Sequence, residues 1–135
     1  MSDLQVKMQS LSEDFTKLQK ELQEAITSRQ KLEAQMQENL GVQKEFGQLK
    51  DDETIYKLIG PVLLKQERSD AESTVNGRLE FIRKEISRLE PLIEETQTKI
   101  ERKKGEIIQL QTSAQQAGAG AGGAGGGGKP KAVAA

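Results

Sequence analysis

The chain has 135 residues, of which 30% are charged and only 34% are hydrophobic. A compact globular core of normal size is hard to build from that composition, whereas long helices that each bury one narrow stripe suit it well. The net charge is −1, whereas proteins that bind a nucleic acid or an anionic membrane carry a strongly positive surface. Neither is therefore expected as a partner.

The sequence contains no cysteine and no histidine. A disulfide framework is therefore excluded, and the residues that most often bind metals or act as general bases are missing. No apolar run is long enough to span a membrane, and the first residues lack the apolar region of a signal peptide. We expect a cytoplasmic protein that is not an enzyme and uses neither a metal nor a cofactor.

The first predicted helix, about residues 4–50, is marked by apolar residues at alternating spacings of four and three, which is typical of coiled-coil heptads. This seam runs through Leu4, Met8, Leu11, Phe15, Leu18, Leu22, Ala25, Arg29, Leu32, Met36 and Asn39, and continues best through Val42, Phe46 and Leu49. The step of three after Asn39 breaks the strict heptad, and Gly41 lies beside it. A glycine inside a helix costs ~1 kcal/mol relative to alanine. The pattern predicts a local weakening or overwinding of the coiled coil near the hairpin.

The apolar period changes between residues 54 and 67, where two short apolar runs flank Gly60 and Pro61. This pattern predicts a β-hairpin with apolar side chains on both faces. A lone two-stranded hairpin is marginal in water, and its open edges invite pairing with another chain. We therefore favour assembly with other chains over a hairpin folded back on its own helices.

The second predicted helix covers about residues 70–112. Its seam is Val75, Leu79, Ile82, Ile86, Leu89, Ile93, Thr96, Ile100, Lys103, Ile107 and Leu110. Ser69 and Glu72 fit a capping box at its start. Pro91 removes one backbone donor, but the seam keeps its phase across it, which favours one kinked helix over two helices.

The remaining residues, 114–135, are mostly glycine and alanine and predict a disordered tail after a single domain of residues 1–113. Because one short hairpin joins two helices of similar length, the helices must run antiparallel. The predicted fold class is mainly α: a long antiparallel α-helical coiled-coil hairpin with one central β-hairpin.

The segment IYKLIGPVLLKQE, which follows QENLGVQKEF, resembles the linker of a beta-class prefoldin subunit. The resemblance covers about residues 5–112, and the single hairpin is the feature that indicates the beta class. It implies a hetero-hexamer with other alpha- and beta-class prefoldin subunits, whose coiled coils capture unfolded client proteins such as actin and tubulin. It further implies that the clients pass to the cytosolic chaperonin without ATP. By position, it implies that the subunit-interface residues are Ile55, Tyr56, Leu58, Ile59, Val62, Leu63 and Leu64.

The helix ends far from the hairpin supply candidate client-binding residues, because a coiled coil frays where its terminal turns lack partners. The apolar side chains predicted there are Leu4, Val6, Met8, Leu11, Phe15, Ile107, Ile108 and Leu110. Val6 and Ile108 fall off the seam, so they are expected to be exposed even in a fully paired coil. An ordinary core role fits Leu11, Phe15, Ile107 and Leu110 at least as well.

One alternative stays open at this point, a coiled-coil scaffold or tether with no client-binding activity. It explains the heptads but leaves the apolar hairpin unexplained.

Overall fold

A computed structural model describes residues 2–126 of the chain, and the side chains of residues 2–118. Four elements follow one another: helix α1 (Asp3–Gln48), strand β1 (Ile55–Ile59), strand β2 (Val62–Gln66) and helix α2 (Arg68–Gly126). The predicted fold class, two long helices joined by one β-hairpin, is confirmed. No helix among the described residues is both long and apolar enough to cross a membrane.

The predicted and observed boundaries of the elements differ most at the end of α2. The sequence predicted an end near residue 112, whereas the helix continues to Gly126. Alanine and glutamine at residues 114–117 are good helix formers, which accounts for the first turn beyond the predicted end. Residues 127–135 lie outside the described residues, and for them the predicted disordered tail stays a prediction.

The two helices begin in different ways. Ser2 and Gln5 form a capping box at the start of α1: Gln5 N donates to Ser2 Oγ at 3.2 Å, and Ser2 N donates to Gln5 Oε1 at 3.3 Å. The capping box predicted for α2 is wrong. That helix already begins at Arg68, so Ser69 lies inside its first turn, and Glu72 accepts a hydrogen bond from Arg68 Nε at 3.0 Å.

Each of two compact units contains part of both helices, and one of them spans Glu24–Ile93. Its buried residues are Ala25, Ala71, Val75, Leu79, Ile82, Ile86 and Leu89. The helices run antiparallel here. Gln43 Nε2 donates to Asn76 Oδ1 at 2.8 Å, and Arg29 Nη2 lies 3.9 Å from Glu90 Oε1.

The other unit combines α1 up to Gln23 with α2 from Glu94 onwards. Thr96 is buried in it, and the apolar seam side chains around it are half-buried. An ion pair of 3.6 Å joins Lys103 Nζ to Asp14 Oδ2. Leu18 lines a groove with Lys99 and Leu11 lines one with Leu110, so the two helices are antiparallel in this unit as well.

The predicted seam agrees with the burial of side chains at every position but one. All eleven positions of α2 are buried or half-buried, and so are those of α1 from Leu4 to Asn39. The continuation through Val42 is wrong, because 41% of that residue is exposed. Two successive steps of three lead from Met36 through Asn39 to Val42. They place Val42 about 120° around the helix from Met36, and thus off the buried stripe. Leu40 is half-buried instead.

α2 is one continuous helix through Pro91, as the unbroken phase of its seam predicts.

Candidate assembly and client-binding surfaces

The hairpin is closed by a two-residue loop of Gly60 and Pro61. Gly60 has a φ of +59°, in the left-handed region that favours glycine. Glycine at the first loop position is the signature of a type II′ turn, whose twist matches that of the flanking strands. Pro61 fits the second position, where φ is negative, because its ring restricts φ to negative values.

The strand register decides which hairpin side chains share a face. Leu58 pairs with Leu63, and Ile59 pairs with Val62. Because side chains alternate along a strand, these two pairs lie on opposite faces. One face carries Tyr56, Leu58, Leu63 and Lys65, and the other carries Ile55, Lys57, Ile59, Val62, Leu64 and Gln66. Each face therefore has an apolar patch, as predicted.

The hairpin is barely covered by the rest of the described chain. Ile55, nearest the helices, is half-buried. The other predicted interface residues expose about half or more of their surface: Tyr56 58%, Leu58 67%, Ile59 50%, Val62 51%, Leu63 62% and Leu64 48%. The sheet has only two strands, so each strand also has an edge with no strand partner in the described chain. Both features are typical of a surface that another chain covers.

Arg68 joins the ends of the two helices at the base of the hairpin. Its Nη2 donates to the carbonyl oxygen of Phe46 at 2.6 Å, and its Nη1 donates to that of Leu49 at 3.4 Å. These carbonyls lie at the C-terminal end of α1, where a cation also complements the helix dipole. The Arg68 side chain thus connects the end of α1 to the first residue of α2 and fixes the distance that the hairpin must bridge. The sequence does not predict this role of Arg68, because nothing local marks a contact between residues about twenty positions apart.

The candidate client-binding residues lie together in the unit made of α1 up to Gln23 and α2 from Glu94. Val6 is 52% exposed and Ile108 is 53% exposed, whereas Leu4, Met8, Leu11, Phe15, Ile107 and Leu110 are half-buried. Leu11 and Leu110 line one shallow groove between the helices. Ser2 and Gln5 cap the first turn of α1, and Val6 and Ile108 are the most exposed apolar side chains among these eight. Client binding by these residues stays a prediction.

The described residues offer no constellation for catalysis. No group of three or more histidine, cysteine, aspartate or glutamate side chains among them is placed to hold a metal ion. A hydrogen bond from Arg88 Nε to Glu85 Oε2 at 2.9 Å raises the pKa of the Arg88 guanidinium above its ordinary value. Because arginine is already charged at neutral pH, that shift creates no acid or base.

Comparison with known proteins gives a consistent result. A family model described as Prefoldin subunit matches residues 9–114. Prefoldin subunit 6 of Saccharomyces cerevisiae is 46% identical over 111 residues, which cover 82% of this chain and 97% of the yeast protein. Prefoldin subunit 6 of Homo sapiens is 40% identical over 114 residues, covering 84% of this chain and 88% of the human protein. Within the beta class the linker motif most resembles subunit 6, in agreement with the names of these relatives.

The fold has a solved counterpart. The prefoldin beta subunit from Thermococcus strain KS-1 superposes with a TM-score of 0.70 at 20% sequence identity. The match covers 81% of this chain and 96% of that one. The family match, the identities above 30% over most of the chain and the shared architecture agree. This chain therefore belongs to the prefoldin subunit family, and it is a co-chaperone subunit rather than an enzyme.

Proposed function

We propose that this chain joins alpha- and beta-class prefoldin subunits in a cytoplasmic hetero-hexamer that captures unfolded polypeptides. In this proposal the clients are proteins of the actin and tubulin type, and the complex delivers them to the cytosolic chaperonin without ATP. One observation carries the assembly part: a two-stranded hairpin whose apolar side chains stand exposed on both faces.

The hairpin is the proposed contact with neighbouring subunits. Fully burying a valine, leucine or isoleucine side chain contributes about 1.5–3 kcal/mol, and the hairpin presents five such side chains about half exposed or more. Strand edges of neighbouring subunits would add backbone hydrogen bonds, which an isolated hairpin leaves to water.

The proposed client site consists of the exposed Val6 and Ile108 together with Met8, a half-buried seam residue of the same unit. Unbranched methionine adapts to apolar partners of different shape. Contacts of this kind are individually weak, so client retention depends on several subunits that act together.

The assembly proposal is tested by the double substitution Leu58→Ser with Leu63→Ser, which removes one cross-strand apolar pair. The variant is co-expressed with the other subunits, and the native mass of the complex is measured. We expect loss of the hexamer. The matched control is Phe81→Ser, because Phe81 lies on α2 and is 62% exposed, as Leu63 is. A variant complex of unchanged mass would contradict the assignment of the hairpin as the interface.

The client proposal is tested by the triple substitution Val6→Ser, Met8→Ser and Ile108→Ser in the assembled complex. We expect the native mass to stay unchanged while suppression of aggregation of denatured actin falls severalfold. The control variant, Val42→Ser with Phe81→Ser, removes exposed apolar groups from the other unit and should suppress aggregation as the unmodified complex does. Equal suppression by the triple variant would rule out these residues as the client site. If even the unmodified complex suppresses no aggregation, the scaffold alternative is the better account.

A further inference from the structure

Two glycines, Gly41 on α1 and Gly77 on α2, stand at nearly the same level of the antiparallel helix pair. Two contacts between the helices define the register: Gln43 with Asn76, and Arg29 with Glu90. In each contact the two residue numbers add up to 119. On that register Gly41 lies opposite residue 78, one position from Gly77.

Neither glycine is required by packing or by backbone conformation. A Cβ atom added at Gly41 or Gly77 would meet nothing within 4 Å. Among the described residues only Gly60 has a positive φ, so both glycines have helical geometry that alanine adopts without strain. Glycine is among the poorest helix formers. Both helices are therefore weakened at one level without a steric reason.

The two helices differ in burial at this level, because Val75 and Leu79 on α2 are buried whereas the facing turn of α1 is exposed. Residues 41–45 of α1 are all exposed, which is more than one full helical turn without a buried side chain. The hydrogen bond from Gln43 to Asn76 is exposed and polar, so water can replace it. Val42, through which the seam was predicted to continue, is 41% exposed.

We propose that Gly41 and Gly77 form a paired hinge at which α1 and α2 bend together. Bending one helix alone would slide its seam residues past those of the other helix. Bending both at one level leaves the apolar pairing beyond the hinge turn intact, including the buried Ile82 and Ile86. The hinge lies within the unit Glu24–Ile93, next to the hairpin end, and the inference does not depend on which residues bind a client.

Amide hydrogen exchange in the assembled complex tests this hinge, because exchange reports local opening of helices. We expect amides near Gly41 and Gly77 to exchange faster than those of the flanking turns. Gly41→Ala should slow exchange in its own helix by about fivefold, the factor that corresponds to the helix propensity of alanine over glycine. Because the helices bend together, the same substitution should also slow exchange near Gly77 on the opposite helix. Gly77→Ala should produce the reciprocal effect.

Gly105→Ala is the matched control, since an added Cβ at Gly105 also meets nothing within 4 Å and the register of the Lys103–Asp14 pair brings no glycine of α1 opposite it. It should slow exchange only around residue 105. If Gly41→Ala slows exchange only in α1, the helices open independently and the paired hinge is wrong. Equal protection of the glycine turns and their flanks in the unmodified complex would also overturn it.

Discussion

The helix seam and the β-hairpin use the same apolar residue types, yet they have opposite exposures within one unit of the chain. Leu79 on α2 is 1% exposed, whereas Leu58 on β1 is 67% exposed. The seam of a helix faces one direction, so a single antiparallel helix covers it. The side chains of a strand alternate between two faces, so covering the hairpin takes partners on both sides. The seam therefore stabilises the chain itself, whereas the apolar surface of the hairpin stays exposed, available for the subunit contacts that we propose.

The largest expected loss of stability comes from truncating a buried side chain of the seam. Leu79→Ala should lower the free energy of unfolding of the chain by about 2–5 kcal/mol, because it removes fully buried methyl groups and leaves a cavity. Urea denaturation of the isolated chain measures it. The matched substitution Leu58→Ala on the hairpin should change the free energy of unfolding by less than ~0.5 kcal/mol. Similar losses of unfolding free energy for the two variants would show that the hairpin stabilises the isolated chain as much as the seam does.

The junction between the two regions depends on Arg68. Arg68→Ala should cost about 1.5–3 kcal/mol, because charge-assisted hydrogen bonds to the carbonyls of Phe46 and Leu49 are lost where α1 ends. The same denaturation experiment measures the loss. Arg83→Ala, an exposed position on α2, is the control and should change stability by less than ~0.5 kcal/mol. Equal behaviour of the two variants would show that Arg68 does not hold the helix ends together.

A smaller effect is expected at the turn of the hairpin. Gly60→Ala places a side chain at a φ of +59°, which costs about 1–2 kcal/mol in an L-residue. The cost should appear as faster hydrogen exchange in β1 and β2, with the helix amides unchanged. Gly60→Asn should disturb the strands less, because asparagine tolerates the left-handed region better. Equal disturbance of strands and helices would mean that the hairpin and the seam unfold together.

The smallest effect is expected at a polar position of the seam. Lys103 is a half-buried residue whose Nζ lies 3.6 Å from Asp14 Oδ2 and 3.7 Å from Glu106 Oε2. Partly exposed ion pairs of this kind contribute about 0–1 kcal/mol. Lys103→Met keeps most of the apolar stem and should change the free energy of unfolding by less than ~1 kcal/mol. Lys104→Met, at an exposed position off the seam, is the control. A large loss for Lys103→Met would show that the seam depends on this charge.

The sequence predicted the seam well because heptad spacing is local. Spacing alone marked Leu79, Ile82 and Ile86 as buried, and they are. It failed at Val42, where two steps of three rotate the residue off the seam, and at Ser69, where the helix begins two residues too early for that cap. The spacing of Ser2 and Gln5 would have revealed the capping box of α1.

By itself, the sequence determined two amphipathic helices, an apolar hairpin between them and their antiparallel order, because side-chain periodicity and a short connection are properties of neighbouring residues. It also determined the family, through the hairpin motif. Only the tertiary structure decided the register between the helices, the contact of Arg68 with the end of α1 and the level match of Gly41 with Gly77. These features depend on pairs of residues far apart in the chain, and such pairs are set by how the seams pack together rather than by local propensity.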